Sequence, residues 1–141
     1  PLVAPLGFRV SRAALIDSAT YEPSPQGTHL AVYLDPLAER TPDQIAAAAV
    51  PVAAALFPEV FDRWPALASF DVCQEPYGWS GAGSPPSDTI RNVFRKDATL
   101  VDWDTVTLAQ LIVTGGTRSG FTVYASPAVR QSATWTAAET G

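Results

Sequence analysis

The segment that most constrains the fold begins at Thr41 and is the clearest helix signal in the chain. The run Thr41-Pro42-Asp43-Gln44 fits a capping box, in which a threonine side chain accepts from the Gln44 N–H and the Gln44 side chain reaches back. Proline suits the first helical position, and the residues that follow are mostly alanine, a strong helix former. One face gathers the apolar side chains Ile45, Ala49, Val52 and Leu56. The sequence predicts an Ala-rich helix over about 42–64.

Prolines interrupt this helix pattern. Pro51 removes one backbone hydrogen bond and is expected to kink or divide the helix, at a cost of about 3 kcal/mol for an interior position. A second short helix is expected to begin at Pro58, and Pro65 is expected to stop it.

Five segments have the residues of β-strands, in several cases with apolar and polar side chains alternating. They cover 7–17, 28–34, 69–75, 89–96 and 120–125. The segment 103–116 is ambiguous, since Val106, Leu108 and Ile112 favour a strand. A second capping-box pattern at 107–110 and Gly115-Gly116 favour a short helix, which is the prediction adopted. The predicted order is β, β, α, β, β, α, β. We therefore expect an α+β fold with a mainly antiparallel sheet, in which the kinked Ala-rich helix and a second short helix pack on one face.

The length of 141 residues predicts one domain, placed at 7–136. Residues 1–6 are expected to form a tether and residues 137–141 a frayed tail. The tether-like start, the acidic charge and the richness in Pro, Ala and Thr favour an extracytoplasmic protein, either secreted or membrane-anchored, although a cytoplasmic location is not excluded.

Charge and composition make several partners improbable. Nine Lys and Arg stand against fourteen Asp and Glu, a formal net charge of −5. Nucleic acids and anionic membrane surfaces need clustered basic residues, so neither is an expected partner. No apolar stretch reaches the roughly 20 residues of a membrane span. The single cysteine, Cys73, excludes an internal disulfide.

Few side chains suggest catalysis. Cys73 could act as a nucleophile if His29, the only histidine, lay on a neighbouring strand, but a buried structural cysteine is the alternative. Asp102 and Asp104 could form a carboxylate pair, or one of them could cap the following helix. One histidine and one cysteine make a poor zinc set, and no cofactor motif is present, so neither a metal nor a cofactor is expected.

The segment 76–88 is a long loop rich in Pro, Gly and Ser. Tyr77 and Trp79 flank it, and loops on a rigid sheet often bind ligands, although these rings could instead anchor the loop. Together with Trp103, they are the expected ligand-binding residues.

These features favour a non-enzymatic binding or interaction domain whose partner is an unknown small molecule, glycan or protein. The alternatives are a small enzyme that uses Cys73 and His29 or the two aspartates, and a structural module of a larger assembly.

Overall fold

The computed structural model describes residues 2–79, 88–117 and 120–141 and contains a five-stranded sheet with helices packed on it. The strands are β1 (Phe8–Ile16), β2 (His29–Pro36), β3 (Ser69–Gln74), β4 (Thr89–Phe94) and β5 (Phe121–Ala125). The helices are α1 (Pro42–Arg63), α2 (Arg95–Ala98), α3 (Leu108–Thr117), α4 (Pro127–Arg130) and α5 (Ala133–Thr140).

The strands lie side by side in sequence order, and all neighbours are antiparallel except β2 and β3. Those two are parallel because α1 returns the chain to the end of the sheet where β2 began. The α+β class and the predicted order of strands and long helices are confirmed, with the short helices α2, α4 and α5 in addition.

The Ala-rich segment forms one helix with nearly the expected bounds. It is not divided at Pro51, and the separate short helix expected at Pro58 is wrong because those residues belong to α1. The capping box is present, with Thr41 Oγ1 accepting from Gln44 N at 3.2 Å and Gln44 Oε1 accepting from Thr41 N at 2.9 Å. Pro51 and Pro58 are both exposed, and their seven-residue spacing places them on the same face of the helix. Water can therefore reach the backbone carbonyls that lack an intrahelical donor.

The core lies between α1 and one face of the sheet. Successive strands contribute side chains that are almost fully buried on this face: Phe8, Leu34, Phe70, Val93 and Phe121. From α1, Phe57 packs edge-on against Phe70, with 4.8 Å between ring centroids. A smaller cluster around Trp135 joins α5 to the start of α1 and the end of β5.

Both chain ends differ from the sequence prediction. Val3, placed in the predicted tether, is buried in the core, and residues 4–6 form a turn of 3-10 helix against the sheet. Residues 137–140, which were expected to be frayed, instead form the last part of α5. Trp135 fixes this helix to the core, and Ser132 caps its first turn.

By length and composition alone, α1 would be able to cross a membrane. Its 22 residues include an 18-residue window of mean hydropathy 1.6, and half of that window is buried against the rest of the protein. A central core helix has the same properties, so its apolar character is explained by the packing described above.

Candidate functional site

Tyr77 lies at the edge of the sheet where the parallel strands β2 and β3 both end. After β3, residues 76–79 make a tight turn in which Trp79 N donates to the Pro76 carbonyl at 3.3 Å. The Tyr77 side chain is exposed and Trp79 is half-buried. In α/β sheets, the carboxyl ends of parallel strands are a common place for ligand sites.

A cavity of about 160 Å³ opens beside Tyr77, and we call it the Tyr77 cleft. It lies under the two described ends of the predicted loop 76–88, whose residues 80–87 lie outside the described part of the chain. The polar residues that line it come from the ends of β2 and β3 and the start of β4: Glu39, Arg40, Gln74, Glu75, Tyr77 and Asp88.

The amide of Gln74 has a fixed orientation in this cleft. Its Nε2 donates to the Ile45 carbonyl at 3.2 Å and to Thr89 Oγ1 at 2.7 Å. Because the carbonyl of Ile45 can only accept, the nitrogen must face it and Oε1 must face the other way. That Oε1 is buried and has no hydrogen-bond partner among the described residues. A buried acceptor in this state costs about 1–3 kcal/mol.

The charged residues that line the cleft are Glu39, Arg40, Glu75 and Asp88. Glu75 is buried, and its Oε1 accepts from the Ser11 hydroxyl at 2.6 Å. Burial raises the pKa of Asp88, an effect that the nearby Ser126 side chain partly offsets. Arg40 Nη2 donates to the Leu6 carbonyl at 2.6 Å, and the guanidinium lies over the Phe8 ring. Within the described ranges, none of the three carboxylates forms an ion pair.

Trp103, which was expected to bind ligand together with Tyr77, lies in a different part of the molecule. Its ring stacks on Phe57 at 5.2 Å, and its Nε1 donates to the Ala98 carbonyl at 3.1 Å. It lines a separate, shallow cavity of about 490 Å³ beside the second half of α1. Ile45 lines the Tyr77 cleft and Phe57 lines the Trp103 cavity, so the two cavities lie about 18 Å apart along the helix.

The aspartate pair forms a turn. Both carboxylates are exposed, and Asp102 Oδ1 accepts from Asp104 N at 3.1 Å. Neither residue caps α3, because Thr107 and Gln110 form the capping box there. No group of three or more His, Cys, Asp or Glu side chains that could bind a metal occurs in the described ranges.

His29 contacts side chains that sequence reasoning did not single out. Its Nδ1 lies 2.7 Å from Ser69 Oγ, and its Nε2 lies 3.1 Å from Asp71 Oδ2. Both ring nitrogens therefore contact side chains of β3 other than Cys73. The sulfur of the buried Cys73 lies 4.0 Å from Asp71 Oδ1. The spacing of Ser69 and Asp71 on one strand was visible in the sequence, but their pairing with His29 required the parallel register of β2 and β3.

A third, almost wholly apolar groove lies between β1 and the second half of α1, with a volume of about 440 Å³. Val32 and Phe70 lie deep in it, and the partly exposed Val10 and Trp64 lie at its rim. The charged residues that line it, Glu59 and Arg63, form an ion pair with each other at 2.6 Å.

Compared with models of known protein families, with curated proteins and with solved structures, this chain matches none.

Proposed function

We propose that this protein is a binding domain and that its Tyr77 cleft, which performs no chemistry itself, receives the primary ammonium group of a small molecule. The observation that best supports the proposal is the buried Oε1 of Gln74, which accepts no hydrogen bond from the described residues. An ammonium group has three N–H donors, and one of them could satisfy this acceptor.

The charge of the cleft favours a cation over a neutral polar group. The exposed Glu39 and the half-buried Asp88 outnumber Arg40, whose hydrogen bonds go to backbone carbonyls, while the carboxylate of Glu75 accepts from Ser11. A half-buried carboxylate such as that of Asp88 is unfavourable without a cationic partner, and a bound ammonium would supply that partner. The exposed ring of Tyr77 adds a face on which a cation can rest.

The cavity volume limits the ligand. A space of about 160 Å³ is well below the range of about 300–1,000 Å³ that is usual for drug-sized molecules. The part that enters the cleft is therefore an ammonium group with a short carbon chain.

Isothermal titration calorimetry with n-butylammonium, and with n-butanol as the neutral comparison, tests the proposal. Wild type is expected to bind the cation and not the alcohol. Asp88→Asn is expected to weaken binding about tenfold or more, because it removes a nearby charge partner. Tyr77→Ala is expected to weaken binding about two- to fivefold.

Two variants serve as matched controls. Glu22→Gln removes an exposed carboxylate in another loop, and Tyr124→Ala removes an exposed tyrosine from β5. Both should bind n-butylammonium like wild type. Equal heats for the alcohol and the cation, or an Asp88→Asn variant that binds like wild type, would refute the proposal.

The proposal includes an extracytoplasmic location, supported by the acidic charge and the low content of charged residues. Cell fractionation of the natural host with an antibody against this domain tests it, and recovery from the cytosol alone would refute this part.

A further inference from the structure

A second cluster of reactive side chains lies on the sheet face opposite α1, at the other end of β2 and β3. His29 and Ser69 are the first residues of these strands and are register partners, and Asp71 follows two residues later on the same face. With about 3.3 Å per residue, Ser69 is roughly 17 Å from Gln74 along β3, so this cluster is separate from the Tyr77 cleft.

The hydrogen bonds fix which nitrogen of neutral His29 carries the proton. An ionised Asp71 carboxylate can only accept, so the Nε2 that faces it at 3.1 Å carries the hydrogen. The Nδ1 lone pair then faces Ser69 Oγ at 2.7 Å, and the serine hydroxyl donates to it. A serine that donates to an imidazole, with a carboxylate holding the opposite nitrogen, is the arrangement of an activated hydroxyl nucleophile.

The neighbours of Ser69 indicate what could approach it. On its other side, the register partner is Phe94, which is 42% exposed. Ser69 therefore lies between His29 on β2 and Phe94 on β4, and its hydroxyl contacts the imidazole. Ser69 itself is only 5% exposed, which restricts access to a small reacting group.

We propose that Ser69 is a nucleophile that takes a small acyl group from an activated ester, with His29 as its general base and Asp71 as the residue that positions the imidazole. The Ser69 proton passes to Nδ1 of His29 as Oγ forms a bond to the acyl carbon. The bond from that carbon to the leaving oxygen breaks, and the leaving oxygen takes the proton from Nδ1. Water then repeats the same sequence to release a carboxylic acid and restore Ser69.

The second step is slower than the first, because the leaving group of an activated ester departs more readily than the serine oxygen of the acyl form, and neither step has an oxyanion hole. The strand N–H groups around Ser69 are used in the sheet and in a bond from Ser69 N to the Thr28 carbonyl. They are therefore not available as a preorganised oxyanion hole, whose donors are each worth about 100- to 1,000-fold in rate. The acyl form should accumulate, giving a burst of about one leaving group per chain.

Reaction of the whole chain with p-nitrophenyl acetate tests this. The expected result is a burst of nitrophenolate and one acetyl group on Ser69, located by peptide mass spectrometry. His29→Gln should slow the burst about 100-fold or more, the usual contribution of a general base. Asp71→Asn should also slow it and shift its pH profile, which a purely structural role of Asp71 would not do.

Ser11→Ala is the matched control, since Ser11 lies on β1 and donates to a carboxylate instead of an imidazole. It should react like wild type. Acetylation confined to Lys96 or Cys73, or acetylation of Ser69 at the same rate in His29→Gln, would overturn the proposal. The location of the adduct on wild type decides the question even if a variant does not fold.

Discussion

Asp43, in the first turn of α1, accepts a hydrogen bond at 2.8 Å from the backbone N–H of Thr134, ninety-one residues further along the chain. Thr134 lies in the first turn of α5, so one carboxylate is placed near the N-termini of two helices. Negative charge is favourable at both positions. The contact holds α5 beside the cluster that contains the buried Trp135.

Replacing Asp43 by Ala should loosen α5. The hydrogen bonds to Thr134 lower the pKa of Asp43 from 3.8, so its contribution to stability is present above that value and is lost as pH falls through the lower folded-state pKa. Amide hydrogen exchange of α5 should be faster in Asp43→Ala than in wild type at neutral pH, and the difference should vanish in strong acid. The control Asp104→Ala should leave α5 unchanged, and equal protection in Asp43→Ala and wild type would contradict this account.

Replacing Arg91 by Met should stabilise the protein. Arg91 is 1% exposed, donates to Thr89 Oγ1 at 3.3 Å, and has no partner for Nε and Nη1 among the described residues. Burial lowers its pKa to about 10, so the unfolded chain holds the proton more tightly and stability rises as pH rises above that value. At neutral pH the buried charge is a cost.

Urea denaturation measures that cost. Arg91→Met should raise the free energy of unfolding by about 1–4 kcal/mol, as when buried charges are replaced by apolar side chains of similar size. Arg130→Met, at an exposed position, should change it by less than about 0.5 kcal/mol. A destabilised Arg91→Met variant would show that the guanidinium is needed for the fold.

Replacing Pro51 by Ala should also stabilise the protein. The new N–H can bond to the Ala47 carbonyl, and the gain should be up to about 3 kcal/mol in the free energy of unfolding. Pro25→Ala, in an exposed loop, should have the opposite sign and cost up to about 1 kcal/mol, because it gives the unfolded chain more freedom. A loss of stability in Pro51→Ala would mean that α1 depends on the shape that proline imposes.

These elements show how far the sequence was informative. The start of α1 and the capping box at Thr107 were predictable because each depends on residues within one helical turn. Whether Pro51 would kink α1 or divide it was not predictable, because packing over the whole helix outweighs one lost hydrogen bond. Val3 and the C-terminal end of α5 were misplaced because their packing depends on contacts with distant segments.

The same distinction applies to the candidate sites. Tyr77 was found because an aromatic ring beside a Pro- and Gly-rich loop is a local pattern. The unsatisfied oxygen of Gln74 was not predictable, since it depends on the position of the Ile45 carbonyl across the helix layer. Likewise, the contact of His29 with Ser69 spans forty residues and follows from strand pairing.

Binding of the ammonium group should depend on pH through Asp88. Burial raises the pKa of this carboxyl above 3.8, so it takes up a proton, and loses its charge, at a higher pH than an exposed aspartate. The affinity for n-butylammonium should fall as pH is lowered into that range, and calorimetry on Asp88→Asn should show a smaller fall. Because the folded-state pKa is raised, stability is lost as pH rises through it, so Asp88→Asn should be more stable than wild type at neutral pH. An identical pH dependence in the two proteins would exclude Asp88 from the site.

The most direct test of the central claim is a titration of ¹⁵N-labelled protein with n-butylammonium, followed by ¹H–¹⁵N correlation spectra. The account predicts saturable shifts in the Gln74 side-chain amide and in the backbone amides of Glu75, Tyr77 and Asp88, with none from n-butanol. If these groups show no shifts, or if the shifts appear instead around Trp103 or on the sheet face opposite α1, the account is contradicted.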